Sequence, residues 1–204
     1  MLKRKTTILV IEDDRTQQNN AFASEVKIAF ENIIFKENAN DALSFVKENL
    51  KTKIIILLDL GFPPNQMQGI TFLDKLRNFS KLIPVIVWTA RDREGIANTE
   101  YQKMINDKSF AFLSKTASSD EIIKTLCEAD DYLDSQVDTA VESWLENHSE
   151  EEKNKPFLTS ADGHNYSMND LLQAIRMQTP FGQSIALNIN KLTLDLLFRN
   201  KEKI

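Results

Sequence analysis

Five polar side chains, each placed where an apolar run ends, have the residue types of a phosphoryl-transfer site. They are the acidic pair Glu12 and Asp13, then Asp59, Thr89 and Lys115. Carboxylates that lie together repel one another, by roughly 4 kcal/mol for each pair at about 4 Å and an effective dielectric of about 20. Such a cluster requires a cation, and Mg²⁺ fits because it prefers oxygen ligands and also binds phosphate oxygens. The three acids therefore predict a magnesium site.

Asp59 is the predicted nucleophile of this site. It follows the most apolar run of the chain, Ile54 to Leu58, and a carboxylate can attack phosphorus to form an aspartyl phosphate. The transition state spreads negative charge over three oxygens, which the metal, the Lys115 ammonium and the Thr89 hydroxyl would stabilise. Each residue taken alone is more often a turn or cap residue, so the prediction rests on the order and spacing of the whole set.

The segments between these positions alternate between strand and helix patterns. Apolar, β-branched runs predict five strands, at residues 7–11, 33–36, 54–58, 85–88 and 110–113. Apolar residues at helical spacing follow each strand. This alternation predicts an α/β fold with a five-stranded parallel, doubly wound sheet and helices on both faces. Ligands bind at the carboxyl ends of the strands in such sheets, so the five polar residues should meet at one edge.

Composition and charge narrow the class of protein. The chain has 204 residues, of which 42% are hydrophobic and 27% charged, as in globular proteins. The net charge of −5 is not a nucleic-acid footprint. The apolar runs are shorter than the ~20 residues of a membrane-spanning helix, which predicts no membrane insertion. A lone Cys127 suits a reducing cytoplasm, the predicted location. His148 and His164 are expected to be ordinary surface or loop residues.

Residues 5–132 resemble the receiver domain of two-component response regulators. Four motifs carry the resemblance, in order: ILVIEDD, LLDL, VWTA and FLSK. It implies the flavodoxin-like receiver fold, a phosphoacceptor that is not otherwise an enzyme, and a sensor histidine kinase or phosphotransfer protein as partner. It implies Asp59 as the phosphoacceptor, with Glu12, Asp13, Asp59 and the Gly61 carbonyl as Mg²⁺ ligands. It also implies Thr89, Ala90, Lys115 and Phe112 as the phosphate-binding and switch positions.

Three features depart from the receiver pattern. Thr116 follows Lys115, where receivers usually have a cis proline. A cis bond to any other residue costs about 3 to 4 kcal/mol, so this loop is expected to be trans or strained. The loop from Asp59 to Gly69 and the stretch between Thr89 and Lys115 also look longer than usual. Both lie beside the predicted site or the signalling face.

The apolar stripe of the fifth helix runs past the receiver. Its positions are Ile122, Leu126, Ala129, Leu133, Val137, Ala140 and Trp144, so the helix is expected to continue to about residue 148. One interpretation is a parallel coiled coil that forms a homodimer, although alanine at two seam positions makes a poor one. The other is a helix that folds back on the C-terminal segment. Residues 149–156 are predicted to be a linker, and 157–204 a small α+β module of a hairpin and two helices.

The sequence is compatible with several functions for the segment that follows the receiver. The main hypothesis is that phosphorylation switches protein–protein interaction or oligomerisation with an unidentified downstream protein. A phosphorylation-controlled DNA-binding transcription regulator is an alternative, but residues 183–197 contain one Lys and no Arg, too few for phosphate contacts. A receiver scaffold that acts without phosphorylation is another. A haloacid-dehalogenase-like phosphatase would need an aspartate at position 61, where the chain has Gly61.

Overall fold

The chain folds into two compact units. The computed structural model describes residues 3–14, 16, 21–90, 96–106, 111–160 and 163–201. The first unit consists of Met1–Asn78 and Ile83–Leu133, and the second of Phe79–Leu82 and Asp134–Ile204. The predicted receiver boundary at residue 132 lies beside the end of the first unit.

The first unit is a parallel sheet flanked by helices. Its strands are β1 (Arg4–Ile11), β2 (Phe30–Lys36), β3 (Ile54–Leu58), β4 (Val85–Thr89) and β5 (Ala111–Ser114). Its helices are α1 (Ala21–Ala29), α2 (Ala39–Glu48), α3 (Gly69–Arg77), α4 (Asn98–Asn106) and α5 (Ser119–Ser135). The strand order is β2-β1-β3-β4-β5, and every neighbouring pair is parallel. The predicted five-stranded parallel, doubly wound sheet is confirmed, and its strand order is that of a flavodoxin-like fold. Phe110, the predicted first residue of the fifth strand, lies outside the described residues.

Strand register brings the predicted site residues to one edge of the sheet. Ile11 pairs with Leu58 at the ends of β1 and β3, and the Asp59 amide donates to the Ile11 carbonyl at 3.0 Å. The residues that follow these two strands are therefore neighbours. In the same way Thr89 pairs with Ser114, and the Lys115 amide donates to the Thr89 carbonyl at 3.0 Å. Backbone pairing thus fixes the relative positions of the site residues before any side-chain contact is considered.

The apolar face of α5 is part of the core beside the sheet. Ile122, Leu126, Ala129 and Leu133 are buried there in a cluster with strand and α1 residues that include Val10, Phe22 and Trp88. A helix in a globular protein is stabilised mainly by packing of one apolar face. These four positions of the predicted stripe therefore pack in the core of the first unit and are not free to form a coiled-coil seam.

The prediction of one continuous fifth helix to about residue 148 is wrong. Helix α5 ends at Ser135, and a separate helix α6 spans Val137–Glu146. Gln136 between them is extended, with φ −82° and ψ 125°. Helix α6 buries Val141 and Leu145 where the stripe predicted Ala140 and Trp144, so its inward face is displaced by one residue. Helix α6 packs on the helices of the second unit, as the folding-back interpretation expects.

The second unit begins before the predicted module. After α6 it contains α7 (Glu150–Lys153), β6 (Pro156–Thr159), β7 (Asn165–Ser167), α8 (Met168–Arg176) and α9 (Pro180–Lys201). The predicted hairpin is present, because β6 and β7 pair antiparallel. The predicted linker at 149–156 is not one: Ser149 and Glu152 form a capping box that starts α7, which provides hydrogen bonds for the first turn.

Buried ion pairs join three helices of the second unit. Arg176 of α8 lies 2.6 Å from carboxylate oxygens of both Glu142 and Glu146 on α6. Lys153 of α7, only 2% exposed, lies 3.1 Å from Glu146. Burial acts to raise the pKa of Glu146, but Lys153 and Arg176 outweigh it and hold that pKa below its usual value. Each buried charge therefore has an opposite charge beside it, which burial requires.

The last helix leaves apolar side chains in solvent. Every described side chain from Lys191 to Leu196 on α9 is exposed, and Leu192, Leu194 and Leu196 are each about half exposed or more. Among the described residues, no helix combines the length and the hydropathy needed to cross a membrane.

Asp130 should be essential to the stability of the first unit. It is 4% exposed, accepts a hydrogen bond from Thr6 and lies 2.7 Å from Arg4 Nη1, joining α5 to β1. We expect Asp130→Ala to lower the free energy of unfolding by about 2 to 3 kcal/mol, since it leaves the buried Thr6 hydroxyl without this acceptor and removes a charge partner of Arg4. Urea unfolding measures the loss.

Asp131→Ala is the matched control for this prediction. Asp131 lies 2.6 Å from the same Arg4 atom, but its side chain is 67% exposed. The control should lose less than about 1 kcal/mol. Equal losses for the two variants would contradict the role given to the buried carboxylate.

Candidate functional site

Three carboxylates converge at the carboxyl edge of the sheet. Glu12, Asp13 and Asp59 each offer an oxygen, and these oxygens lie within 4.8 Å of one another. Glu12 is 3% and Asp59 6% exposed, whereas Asp13 faces solvent. Two of the three negative charges are therefore out of water, where mutual repulsion is strongest. The predicted acidic cluster is brought together by the ends of β1 and β3.

The backbone fixes one oxygen of Asp59 and leaves the other free of amide contacts. Oδ1 accepts from the Leu60 amide at 2.7 Å and from the Gly61 amide at 3.3 Å. Oδ2 instead accepts from Lys115 Nζ at 2.8 Å. The two oxygens thus have different roles: Oδ1 orients the side chain, and Oδ2 is directed at the ammonium.

Lys115 reaches the acids from β5. Its Nζ lies 2.5 Å from Glu12 Oε2 and 2.8 Å from Asp59 Oδ2. In the described parts of the chain every peptide bond is trans, including the bond to Thr116. That loop is closed by the Ala117 amide, which donates to the Ser114 carbonyl at 2.9 Å. The lysine therefore occupies its predicted place without a cis bond.

Burial and neighbouring charges act in opposite directions on the pKa values of Lys115 and Glu12. Burial lowers the pKa of Lys115, but its hydrogen bonds to Asp59 and Glu12 outweigh burial, so the pKa lies above its usual value. Burial is also the largest effect on Glu12 and raises its pKa, with Lys115 opposing the rise. The ammonium thus stays charged at neutral pH, while ionised Glu12 carries a net cost in this state.

The remaining predicted positions lie on β4 and β5. Thr89 is the last residue of β4 and is buried, and Ala90 follows it and is exposed. Phe112 lies within β5 with its side chain 41% exposed. Thr89 and Ala90 therefore share the edge that holds the acids, whereas Phe112 precedes that edge by two residues of its strand.

Gln68, which the sequence did not single out, organises the long loop after Asp59. Its Nε2 donates to the carbonyls of Phe62 at 2.9 Å and Pro63 at 3.1 Å, and its Oε1 accepts from the Phe62 amide at 3.3 Å. One side chain thereby satisfies several backbone groups of the loop. A polar residue beside a helix start is a weak signal, since the sequence does not reveal its partners.

Gly69 allows the first turn of α3 to touch the backbone that follows β3. A Cβ at this position would lie 2.2 Å from the Asp59 carbonyl oxygen and 2.7 Å from the Leu60 Cα. Because these are backbone atoms, they cannot move aside as a flexible side chain would. Glycine is therefore required by close approach. In the sequence, a single glycine directly before an apolar helical pattern is the feature that could have indicated this close contact.

The donor set fits a hard divalent cation. In the described part of the chain this is the sole group of three acidic, histidine or cysteine side chains close enough to share an ion. All its ligand atoms are oxygens, which suit Mg²⁺ rather than a softer metal. The amide of Gly61 is tied to Asp59 Oδ1, which keeps this residue, a predicted carbonyl ligand, beside the cluster.

Residues 8–127 match the family model of the response regulator receiver domain. The chain belongs to this family. Receiver domains act in two-component phosphorelay signalling, so the first unit is a signalling receiver. Everything after residue 127, including α6 to α9, lies outside the match. None of the curated proteins matches the chain significantly.

Solved structures of other receivers share the fold. A signal receiver domain of an HD domain-containing protein from Pseudomonas fluorescens is 19% identical, with a TM-score of 0.54, over 65% of this chain and all of the other (100%). A DNA-binding response regulator of the LuxR family from Staphylococcus aureus is 22% identical, with a TM-score of 0.51, over 62% and 99%. A CheY-like receiver from Methanospirillum hungatei is 16% identical, with a TM-score of 0.53, over 63% and 96%. At these identities the likeness shows the fold alone.

Removing the Glu12 charge should change how stability depends on pH. The folded-state pKa of Glu12 is above its ordinary value of 4.5, so the native state binds the proton more tightly than the unfolded state. Its contribution to stability is complete below about pH 4.5 and is lost as the pH rises toward the folded pKa. We expect Glu12→Gln to gain stability relative to wild type as the pH is raised from 4.5 to 7.

Urea unfolding at several pH values in EDTA measures this difference, because chelation removes cations that would favour ionised Glu12. Glu48→Gln is the matched control, since Glu48 is exposed at the end of α2. It should track wild type at every pH. A Glu12→Gln difference that does not vary with pH would show that burial of Glu12 carries no such cost.

Proposed function

We propose that Asp59 accepts a phosphoryl group in a Mg²⁺-dependent reaction, from a sensor histidine kinase or a phosphotransfer protein. The observation that supports this most directly is the position of Lys115 Nζ, 2.8 Å from Asp59 Oδ2, within a cluster of three carboxylates. Family membership supplies the two-component context. Glu12, Asp13 and Asp59, with the Gly61 carbonyl, would hold the metal. When bound, the metal supplies positive charge to the phosphoryl oxygens.

The proposed reaction uses Asp59 Oδ2 as the nucleophile. Oδ1 is held by two backbone amides, so the free electron pairs of Oδ2 can be directed at phosphorus. A bond forms from Oδ2 to phosphorus, the bond from phosphorus to the donor's imidazole nitrogen breaks, and that nitrogen keeps the electron pair. Lys115 is preorganised beside Oδ2 to stabilise negative charge on the phosphoryl oxygens. A preplaced ammonium lowers the barrier because little rearrangement is needed when the charge develops.

We infer that Thr89, Ala90 and Phe112 report the phosphorylated state. The Thr89 hydroxyl and the Ala90 amide would contact the phosphoryl group at the strand edge. Movement of Thr89 would leave space for Phe112, whose ring is 41% exposed, to turn inward. A ligand shifts such an equilibrium only by contacts that differ between the two states, and the Thr89 contact is one of these.

The chain is proposed to be a phosphoacceptor that catalyses only its own phosphorylation and dephosphorylation. An aspartyl-phosphate phosphatase of the haloacid dehalogenase class would need a second acid two residues after the nucleophile. Gly61 stands there, with its amide bonded to Asp59 Oδ1. A general acid is therefore missing at that position, which supports the signalling role.

Phosphodonor labelling tests the acceptor. Wild-type protein incubated with acetyl phosphate and Mg²⁺ should gain the mass of one phosphoryl group, and EDTA should prevent the gain. Asp59→Asn should gain none, since an amide cannot act as this nucleophile. Asp120→Asn, at an exposed aspartate of α5, is the matched control and should be labelled like wild type. An unlabelled wild type or an equally labelled Asp59→Asn would refute the phosphoacceptor.

We further propose that the second unit is the output and that phosphorylation switches protein association through it. The exposed leucines of α9 support an apolar contact with protein, because apolar side chains in solvent gain from being covered. The DNA-binding alternative lacks such support, since α9 has a single Lys and no Arg in residues 183–197. A scaffold that ignores phosphorylation remains the other alternative.

Light scattering with and without beryllofluoride tests whether phosphorylation switches self-association of the protein. We expect the phosphate mimic to raise the mass of the wild type toward a dimer and to leave Asp59→Asn unchanged. Leu192→Ser should weaken that association, because Leu192 is 61% exposed and its loss removes little from the folded monomer. An unchanged mass with mimic-dependent retention of duplex DNA would favour the DNA-binding alternative. If neither response occurs, the second unit neither dimerises nor binds duplex DNA, as expected both for a scaffold and for a receiver whose partner is a different protein.

A further inference from the structure

Trp88 lies between the receiver core and the ammonium of the site. It is the residue before Thr89 on β4 and is 3% exposed. Its ring contacts the Phe22 ring, with centroids 5.1 Å apart, and it belongs to the apolar cluster beside the sheet. Lys115 Nζ lies 5.6 Å from the Trp88 ring centroid. The same ring therefore touches the core and a charged group of the site.

Tryptophan carries a cost at this position that another aromatic residue would avoid. Among the residues that the structure describes, Trp88 Nε1 is buried without a hydrogen-bond partner. A buried, unpaired donor is unfavourable. Phenylalanine could contribute an apolar ring to the same cluster with no donor to leave unpaired. Packing alone thus gives no reason for the indole.

The contact with Lys115 supplies that reason. A cation within about 6 Å of an aromatic centroid is attracted to the ring, and tryptophan attracts it most strongly. Lys115 Nζ also contacts carboxylate oxygens of Glu12 and Asp59, and both residues are candidate metal ligands. The ring does not compete for a metal. It can therefore keep its contact with the Lys115 ammonium even when Glu12 and Asp59 bind a metal ion.

We propose that Trp88 is a positioning residue, which holds Lys115 beside Asp59 by a cation–π contact. Its position compensates for Thr116, which leaves the Lys115 loop without a proline ring to restrict it. The kinetic consequence rests on the proposed phosphoacceptor function. The contact itself does not, so the two can be tested separately.

NMR of lysine-labelled protein tests the contact without any phosphodonor. The side-chain ε-methylene signal of Lys115, assigned with Lys115→Arg, should be shifted upfield by the ring. Trp88→Leu should remove that shift, and Trp88→Phe should keep part of it. Phe22→Leu is the matched control: it removes the neighbouring ring from the same cluster and should leave the shift in place.

Labelling with acetyl phosphate tests the consequence. We expect Trp88→Leu to slow phosphorylation of Asp59 about three- to tenfold, and Trp88→Phe to restore most of the rate. Phe22→Leu should lower the melting temperature as Trp88→Leu does but should not slow labelling. This separates positioning from core packing, because a purely structural role would make rate loss follow stability loss in both variants.

Each outcome gives a distinct answer. If the wild type is not labelled, the phosphoacceptor function fails, and the lysine signal alone decides the contact. If the signal is the same in wild type and Trp88→Leu, the positioning proposal is wrong even when labelling is normal. If Trp88→Leu loses the shift but is labelled at the wild-type rate, the contact exists without the proposed role, and the proposal is again overturned.

Discussion

Charge neutralisation at the sheet edge is the constraint around which the first unit is arranged. Glu12 and Asp59 are buried beside Asp13, and carboxylates in such surroundings require positive charge. Lys115 provides it from β5, reaching across β4 to acids that follow β3 and β1. Parallel strands of matched register make this reach possible, since their carboxyl ends share one edge. One ammonium cannot balance three carboxylates, so the same edge of the sheet is suited to a divalent cation.

The surrounding residues keep this edge rigid by different means. The amides of Leu60 and Gly61 hold one oxygen of Asp59, and Gln68 closes the loop that follows. Gly69 permits α3 to contact the backbone of Asp59 and Leu60. These contacts hold the loop and the strand end in place, so the charged side chains of the site lie on a fixed frame. The proposed contact with Trp88 would hold the Lys115 ammonium in the same frame.

The second unit is stabilised separately, by its own buried ion pairs and its own apolar core. Its helices α6, α7 and α8 are joined by paired charges around Arg176 and Lys153, while Val141, Leu145 and the apolar face of α8 form its core. Val141 and Leu145 belong to the segment that the sequence pattern assigned to a long fifth helix. Helix α5 ends before the extended residue Gln136, so the buried side chains of α5 and those of α6 belong to two separate cores. The exposed leucines at the end of α9 belong to neither core.

The sequence by itself determined the sheet and the positions of its site residues. Runs such as Ile54 to Leu58 are apolar at every position because both faces of the strand are covered, and a polar residue marks where each run ends. The capping box at the start of α8 is local in the same way, because Ser167 and Asp170 are only three residues apart. The tertiary structure alone decided the break at Gln136 and the partners of Gln68, Gly69 and Trp88. These contacts depend on groups distant in the chain or on the conformation of a loop. A local sequence pattern does not specify which groups a side chain contacts after folding.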